Sequence, residues 1–180
     1  MSSDLISYAV RNGAFVAVAA GNDFERGNVL ERIAEFAPQI QGMMAVGAIG
    51  RDRQRAYYSN IASYIEIVAP GGNQRTGGVT GGVIQQTYNF GFTDTYDSRD
   101  YRPPRFDVFA YHYLQGTSMA TPHVAGLAAL LYQQGITNPA AIEAAIERFA
   151  TDLGAPGKDT EFGHGLINPR ATLRGLGLAR

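Results

Sequence analysis

No cysteine occurs among the 180 residues, which excludes disulfides and thiolate metal sites. That absence fits a secreted and a cytosolic protein equally. An excess of one charge is also missing. The formal net charge is −1, without the basic surplus that a nucleic-acid surface needs. No apolar run is long enough to cross a bilayer. The opening Met1-Ser2-Ser3-Asp4 has no basic region followed by an apolar stretch, so no signal peptide is expected there. What is present is an ordinary globular composition, 45% hydrophobic and 17% charged, long enough for one domain with a sizeable core. Glycine is plentiful, at 22 residues, which suits a fold with many tight strand-to-loop turns.

Apolar periodicity predicts the elements. Ser3 reads as a helix N-cap with Asp4 in the first turn. Leu5, Ile6, Ala9 and Val10 follow at helical spacing until Asn12-Gly13. Residues 14–20 are continuously apolar and closed by Gly21-Asn22, which predicts a buried parallel strand. Residues 43–49, closed by Gly50, and 65–69, closed by Pro70-Gly71-Gly72, predict two more. Residues 73–114 differ. They hold nine of the nineteen Tyr and Phe residues, which marks an aromatic-rich, hairpin-like insert. Within it, 83–88 and 106–114 are expected to pair as an antiparallel ribbon around a polar loop at 93–105. Its aromatics suit the core of a local hairpin, a substrate wall or an oligomer contact. After Gly116, the residues Met119, Val124, Leu127, Ala128, Leu130 and Leu131 predict a helix apolar on nearly all sides, with Pro122 in its first turn. Asn138 and Pro139 fit the cap and first position of a helix over 140–150.

The sharpest chemical feature is Gly116-Thr117-Ser118-Met119-Ala120-Thr121-Pro122-His123-Val124-Ala125-Gly126. It sets a serine at the start of a buried helix, where free N–H groups and the dipole favour negative charge. A hydroxyl placed there can attack a carbonyl, and the Ser118 N–H can help hold the oxyanion. A capping role is the ordinary alternative for a serine at a helix start. Upstream, Ala19-Ala20-Gly21-Asn22 sets an amide at the end of a buried strand, able to donate to a developing oxyanion.

The serine string resembles the serine motif of the subtilisin-like serine proteases over all eleven of its residues. Ala19-Ala20-Gly21-Asn22 is similar to that family's oxyanion-hole segment. Val46-Gly47-Ala48, Tyr58-Ser59-Asn60, Val68-Ala69-Pro70-Gly71 and Gly163-His164-Gly165-Leu166-Ile167-Asn168 resemble further family segments. The resemblance implies an α/β fold in three layers with a mainly parallel sheet, here a truncated half-domain spanning 1–180 with the insert at 73–114. It implies Ser118 as nucleophile, Asn22 as oxyanion donor, and Ala19, Ala20, Gly21 and Thr117 as substrate-binding residues. Peptides or esters are the implied substrates. Calcium is a candidate cofactor, with Asp94, Asp97 and Asp100 in one loop and Glu66 as oxygen donors, against the reading of a solvated loop. The family is commonly secreted, but the sequence itself assigns no compartment.

The family's catalytic order is Asp, His, Ser, and its first two motifs have no counterpart here. Met1 falls where roughly the middle of a full catalytic domain would be. His123 follows Ser118 by five residues, about 500° around the helix, and faces away from it. His112 precedes the motif and is the alternative base; His164 lies in a glycine-flanked loop. Three readings stay open: half of a split protease, a weak stand-alone hydrolase using His112, or a self-associating fragment. The unpaired edge of the first strand predicts a partner, either the missing N-terminal half or a second copy. No nucleic acid or membrane is expected.

Overall fold

The computed structural model describes residues 3–89 and 105–178. Three parallel strands form its centre: β1 (Val16–Ala19), β2 (Met43–Ile49) and β3 (Ile67–Pro70), in the order β1-β2-β3. The register runs from Val16 opposite Met43 to Ala19 opposite Val46, then from Val46 opposite Ile67 to Ile49 opposite Pro70. All seven residues of β2 are buried, as an uninterrupted apolar run in a covered parallel sheet requires. The outer strands are shorter than their apolar runs. The Ala14 N–H is still committed to the end of the first helix, bonding Ala9 O at 3.1 Å. The Ile65 N–H closes a turn onto Ala62 O at 3.2 Å.

Side chains of β2 alternate between two cores, as strand periodicity dictates. Met43, Ala45 and Ile49 pack with Ile6 of α1 (Ser3–Arg11) and with Ala34, Ala37 and Ile40 around a 3₁₀ turn. Met44, Val46 and Ala48 pack with Val124, Leu127 and Leu131 of a long helix (Thr117–Gln133), and with Ile142 and Ile146 of the helix after it (Pro139–Arg148). The result is the expected three-layer α/β arrangement. Between β3 and the long helix come α2 (Gln74–Gly77) and the antiparallel pair β4 (Val83–Asn89) and β5 (Arg105–Leu114). Val83 stands opposite Leu114 and Tyr88 opposite Phe109. The polar loop expected between these strands lies outside the described residues, apart from Arg105. The remaining helices are α3 (Thr117–Gln133), α4 (Pro139–Arg148) and α5 (Pro169–Gly175).

Two helix starts use one device. Asn138 Oδ1 accepts from the Ala141 N–H at 3.0 Å with Pro139 in the first turn, and Asn168 Oδ1 accepts from the Ala171 N–H at 2.9 Å with Pro169 in the first turn. Helix α3 departs from expectation in two ways. It begins at Thr117, so Pro122 lies in the second turn, where it has no N–H to give the Ser118 carbonyl. Only one stripe is buried: Leu130 is 44% and Tyr132 53% exposed.

A cluster of three carboxylates sits at the N-terminal ends of β2 and β3. Oxygens of Glu66, Glu143 and Glu147 lie within 4.8 Å of one another. Glu66 is 3% exposed and accepts the Ala45 N–H at 3.2 Å. Glu143 accepts the Gly42 N–H, and Glu147 lies 3.3 Å from His164 Nε2. Burial first, then the negative charge of Glu143, pushes the Glu66 carboxyl up to about 7. Burial also raises Glu143.

Two outcomes follow from this packing. Leu131→Ala, at a fully buried position between α3 and the sheet, lowers stability by about 3 kcal/mol in urea unfolding. Glu66 binds its proton more tightly folded than unfolded, so the stability it contributes is present below its ordinary value of 4.5 and lost as pH rises through about 7. Glu66→Gln removes that loss, by about 2–3 kcal/mol between these limits, and gives a flatter profile of urea midpoint against pH.

Candidate active site

Asn22 and Ser118 meet at the C-terminal end of the sheet. The chain leaves β1 through Gly21, whose φ is +105°. A β-carbon there would lie 2.3 Å from Asn60 Nδ2, so only glycine allows the contact. Asn60 is fully buried and holds the whole turn. Its Oδ1 accepts the Asp23 N–H at 2.8 Å, and its Nδ2 donates to Ala20 O at 3.1 Å and Val29 O at 2.8 Å. Tyr64 adds a second donor to Ala20 O at 2.9 Å. The sequence marks Asn60 only as part of a turn. Its signal is that an amide placed among apolar core segments has to satisfy both of its polar ends.

With the turn fixed, Asn22 reaches the start of α3. Its Oδ1 accepts from the Thr117 N–H at 2.9 Å and from the Thr117 hydroxyl at 3.0 Å. The amide orientation is thereby set, because an oxygen and not an NH₂ must face two donors. Nδ2 is left without a partner among the described residues. Gly116, at φ +150°, keeps the space in front of it open. A β-carbon at Gly116 would lie 3.7 Å from Asn22 Nδ2 and 3.7 Å from the Ser118 amide nitrogen, so both donors border one small volume. Gly116 is pinned as well. The Gly116 N–H donates to Gly71 O at 3.0 Å, and Gly71 O also receives the Tyr58 hydroxyl at 2.8 Å.

Ser118 is exposed at the N-terminus of α3 and lines a cavity of about 470 Å³ together with Ala19, Gly21, Asn22 and Thr117. Asp23, Arg26 and Glu31 make its polar side. Ala20 does not line it. Strand alternation turns its methyl into the core, where it is fully buried. Thr117 borders the cavity but is itself buried, and its hydroxyl serves Asn22.

None of the three histidines lines this cavity. His112 is in the ladder opposite Gln85. His123 Nδ1 meets Met119 O at 2.9 Å. His164 faces Glu147. Of the expected cation ligands, Asp94, Asp97 and Asp100 lie outside the described residues. Glu66 stands with Glu143 and Glu147, whose hard oxygens suit calcium. Three carboxylates fall short of the six to eight oxygens calcium takes, and each is already engaged by a backbone N–H or by His164.

Comparison with known proteins identifies the family. The model of the Subtilase family matches residues 1–165. Subtilisin NAT of Bacillus subtilis subsp. natto is 32% identical over 168 residues, covering 93% of this chain and 35% of the relative. A thermophilic serine proteinase of Bacillus sp. (strain AK1) is 33% identical over 164 residues, covering 91% of this chain and 31% of the relative. The chain thus spans about a third of the length of these two relatives. Among solved structures, a protease from Pseudoalteromonas arctica PAMC 21717 superposes with a TM-score of 0.72 at 34% identity, covering 97% of this chain and 47% of the other. Fervidolysin from Fervidobacterium pennivorans, described as a keratinolytic enzyme related to subtilisin, gives 0.68 at 25% identity, covering 97% of this chain and 25% of the other. Matched by the family model from residue 1 to residue 165, this protein belongs to the subtilase family.

Proposed function

We infer that this chain supplies the nucleophile and the oxyanion hole of a serine endopeptidase. The observation that carries the reading is the Asn22 side chain. Thr117 fixes its oxygen, so its Nδ2 is presented beside the Ser118 N–H, at the mouth of the cavity that holds the serine hydroxyl.

In this reading a peptide carbonyl lies against Ser118. Oγ attacks the carbonyl carbon while a general base takes the hydroxyl proton. The carbonyl oxygen becomes an oxyanion and accepts hydrogen bonds from Asn22 Nδ2 and the Ser118 N–H. The C–N bond then breaks, and the amine leaves with the proton returned by the base. Water attacks the acyl-serine by the same route and releases the acid. The dipole of α3 favours the negative charge at that point. Ala19 and Gly21 border the space for the substrate side chain.

The base and its carboxylate come from the rest of a catalytic domain, on the same polypeptide or on a separate chain. Three observations support this. No histidine of this chain lines the cavity. β1 is paired on one side only, to β2, among the described residues. On α3, the half-exposed ring of Tyr132 lies with Ala125, Ala129 and Phe15 on an apolar face next to the start of β1. A buried interface through the open edge and this apolar face would complete the sheet. His112 as an internal base has no geometric support, since it stands in the ribbon opposite Gln85. Calcium, if bound at the carboxylate cluster, would serve the fold and none of these steps.

Labelling with a fluorophosphonate, read by intact mass, tests the reading. The chain alone is expected to stay unlabelled, and the chain assembled with a subtilase N-terminal half to gain one adduct that Ser118→Ala abolishes. An assembled enzyme that stays unlabelled, or an adduct at another residue, overturns it. In the assembled enzyme Asn22→Ala lowers kcat by about 10²–10³ with KM little changed, a magnitude known from a subtilisin asparagine and carried over to this chain.

A further inference from the structure

A second groove opens on a different side of α3 from Ser118. His123, which borders it, lies five residues further on, about 7.5 Å along the helix and about 140° around it. The groove has a volume of about 390 Å³ and runs between the turn after β2, the end of β3 and the start of β4. Its walls are apolar, with Ile49, Val83, Ile84 and Leu166, and Arg51 and Arg53 stand at its rim.

The two arginines are uncompensated. Neither side chain makes an ion pair or a hydrogen bond among the described residues. Asp52, between them, is turned into its own loop, with Oδ1 accepting the Gln54 N–H at 3.1 Å. The turn is tight: the Arg53 N–H bonds Gly50 O at 3.1 Å, and the Gly50 N–H bonds Gln54 O at 3.0 Å. It holds Arg53 at φ +60°, a conformation that disfavours any residue with a β-carbon. Strain of this kind collects in loops that bind something.

The groove continues onto the ribbon. Ile84 of its wall stands opposite Tyr113, Gln86 opposite Tyr111, and Tyr88 opposite Phe109. Strand alternation puts these residues on one face. Ile84 is 53%, Phe109 64% and Tyr111 70% exposed. Contiguous exposed apolar surface of this kind marks an interaction site. Among the described residues β4 and β5 pair only with each other, so each offers the backbone N–H and C=O groups of its outer edge to an added extended chain.

We propose that the Arg51–Arg53 groove and the aromatic face of β4 and β5 together bind an extended polypeptide segment whose acidic side chains alternate with apolar ones. The acidic groups pair with Arg51 and Arg53. The apolar ones fill the groove and lie on Ile84, Tyr111 and Phe109. Charge complementarity selects this occupant over an uncharged or basic chain. The site is separate from the Ser118 cavity and requires no bond to be made or broken, so it stands or falls independently of the peptidase reading.

Fluorescence anisotropy of the full chain with a fluorescein-labelled Asp-Phe-Glu-Leu repeat peptide tests the proposal, with a Lys-Phe-Lys-Leu repeat as the comparison. The acidic peptide binds, and the basic one binds at least about tenfold more weakly. The double variant Arg51→Glu, Arg53→Glu and, separately, Tyr111→Ser each weaken the acidic peptide about tenfold with the circular dichroism unchanged. Equal binding of the two peptides, no binding of either, or an unchanged Kd in both variants overturns the proposal. So does sedimentation showing a dimer that Tyr111→Ser dissociates, which would assign the face to a second copy.

Discussion

The amide oxygen of Asn22 takes two hydrogen bonds from Thr117, and these join the end of β1 to the start of α3 across 95 residues of sequence. The carboxamide can face Thr117 in only one orientation, so one contact decides both where the strand end meets the helix and which atom of Asn22 faces the cavity. The rest of the site is arranged to protect this choice. Asn60 clamps the turn from behind, Gly21 lets it approach, and Gly116 leaves room in front. Asn60 spends all its side-chain bonds on backbone groups of the turn, and Asn22 spends its oxygen on Thr117. Low local dielectric strengthens such a network and also makes any broken member costly.

The serine string made helix α3 legible, because a glycine turn, a serine and an apolar run carry their local structure with them. The central strand was equally legible, since β2 is buried on both faces and needs no help from its neighbours to be recognised. Strand ends were less so. Ala14 and Ile65 are apolar yet belong to turns, and hydrophobicity does not distinguish a strand residue from one packed just beyond it. Ala20 reads as a cavity residue from its motif and is a core residue by alternation. Thr117 and Asn60 act through hydrogen bonds to residues 95 and 31 or more positions away, a relation no local pattern encodes. The exposed side of α3 was hidden for a different reason: an apolar helix looks buried all round whether or not its second partner is on the same stretch of chain.

The two ends of the sheet differ in charge and in crowding. At the N-terminal ends of the strands, the carboxylates of Glu66, Glu143 and Glu147 are crowded together and burial holds Glu66 partly protonated near neutrality. At the C-terminal ends lie Asn22, Gly71 and Gly116, glycine-rich and stripped of side chains that would crowd a ligand. Ligands bind at this end in open parallel sheets, because strand termini and helix N-termini converge there.

The contact between Thr117 and Asn22 has a temporal consequence as well as a spatial one. Its two partners are separated by β2, β3 and the whole ribbon, so the pairing is a long-range closure that local segments cannot anticipate. Partly folded forms can contain the strand, the helix and the serine, but not the oriented amide. An intermediate of that kind therefore lacks the amide that Thr117 fixes beside Ser118. The cavity beside Ser118 would take its final shape last, once the chain's own unfolded backbone has been drawn into the fold.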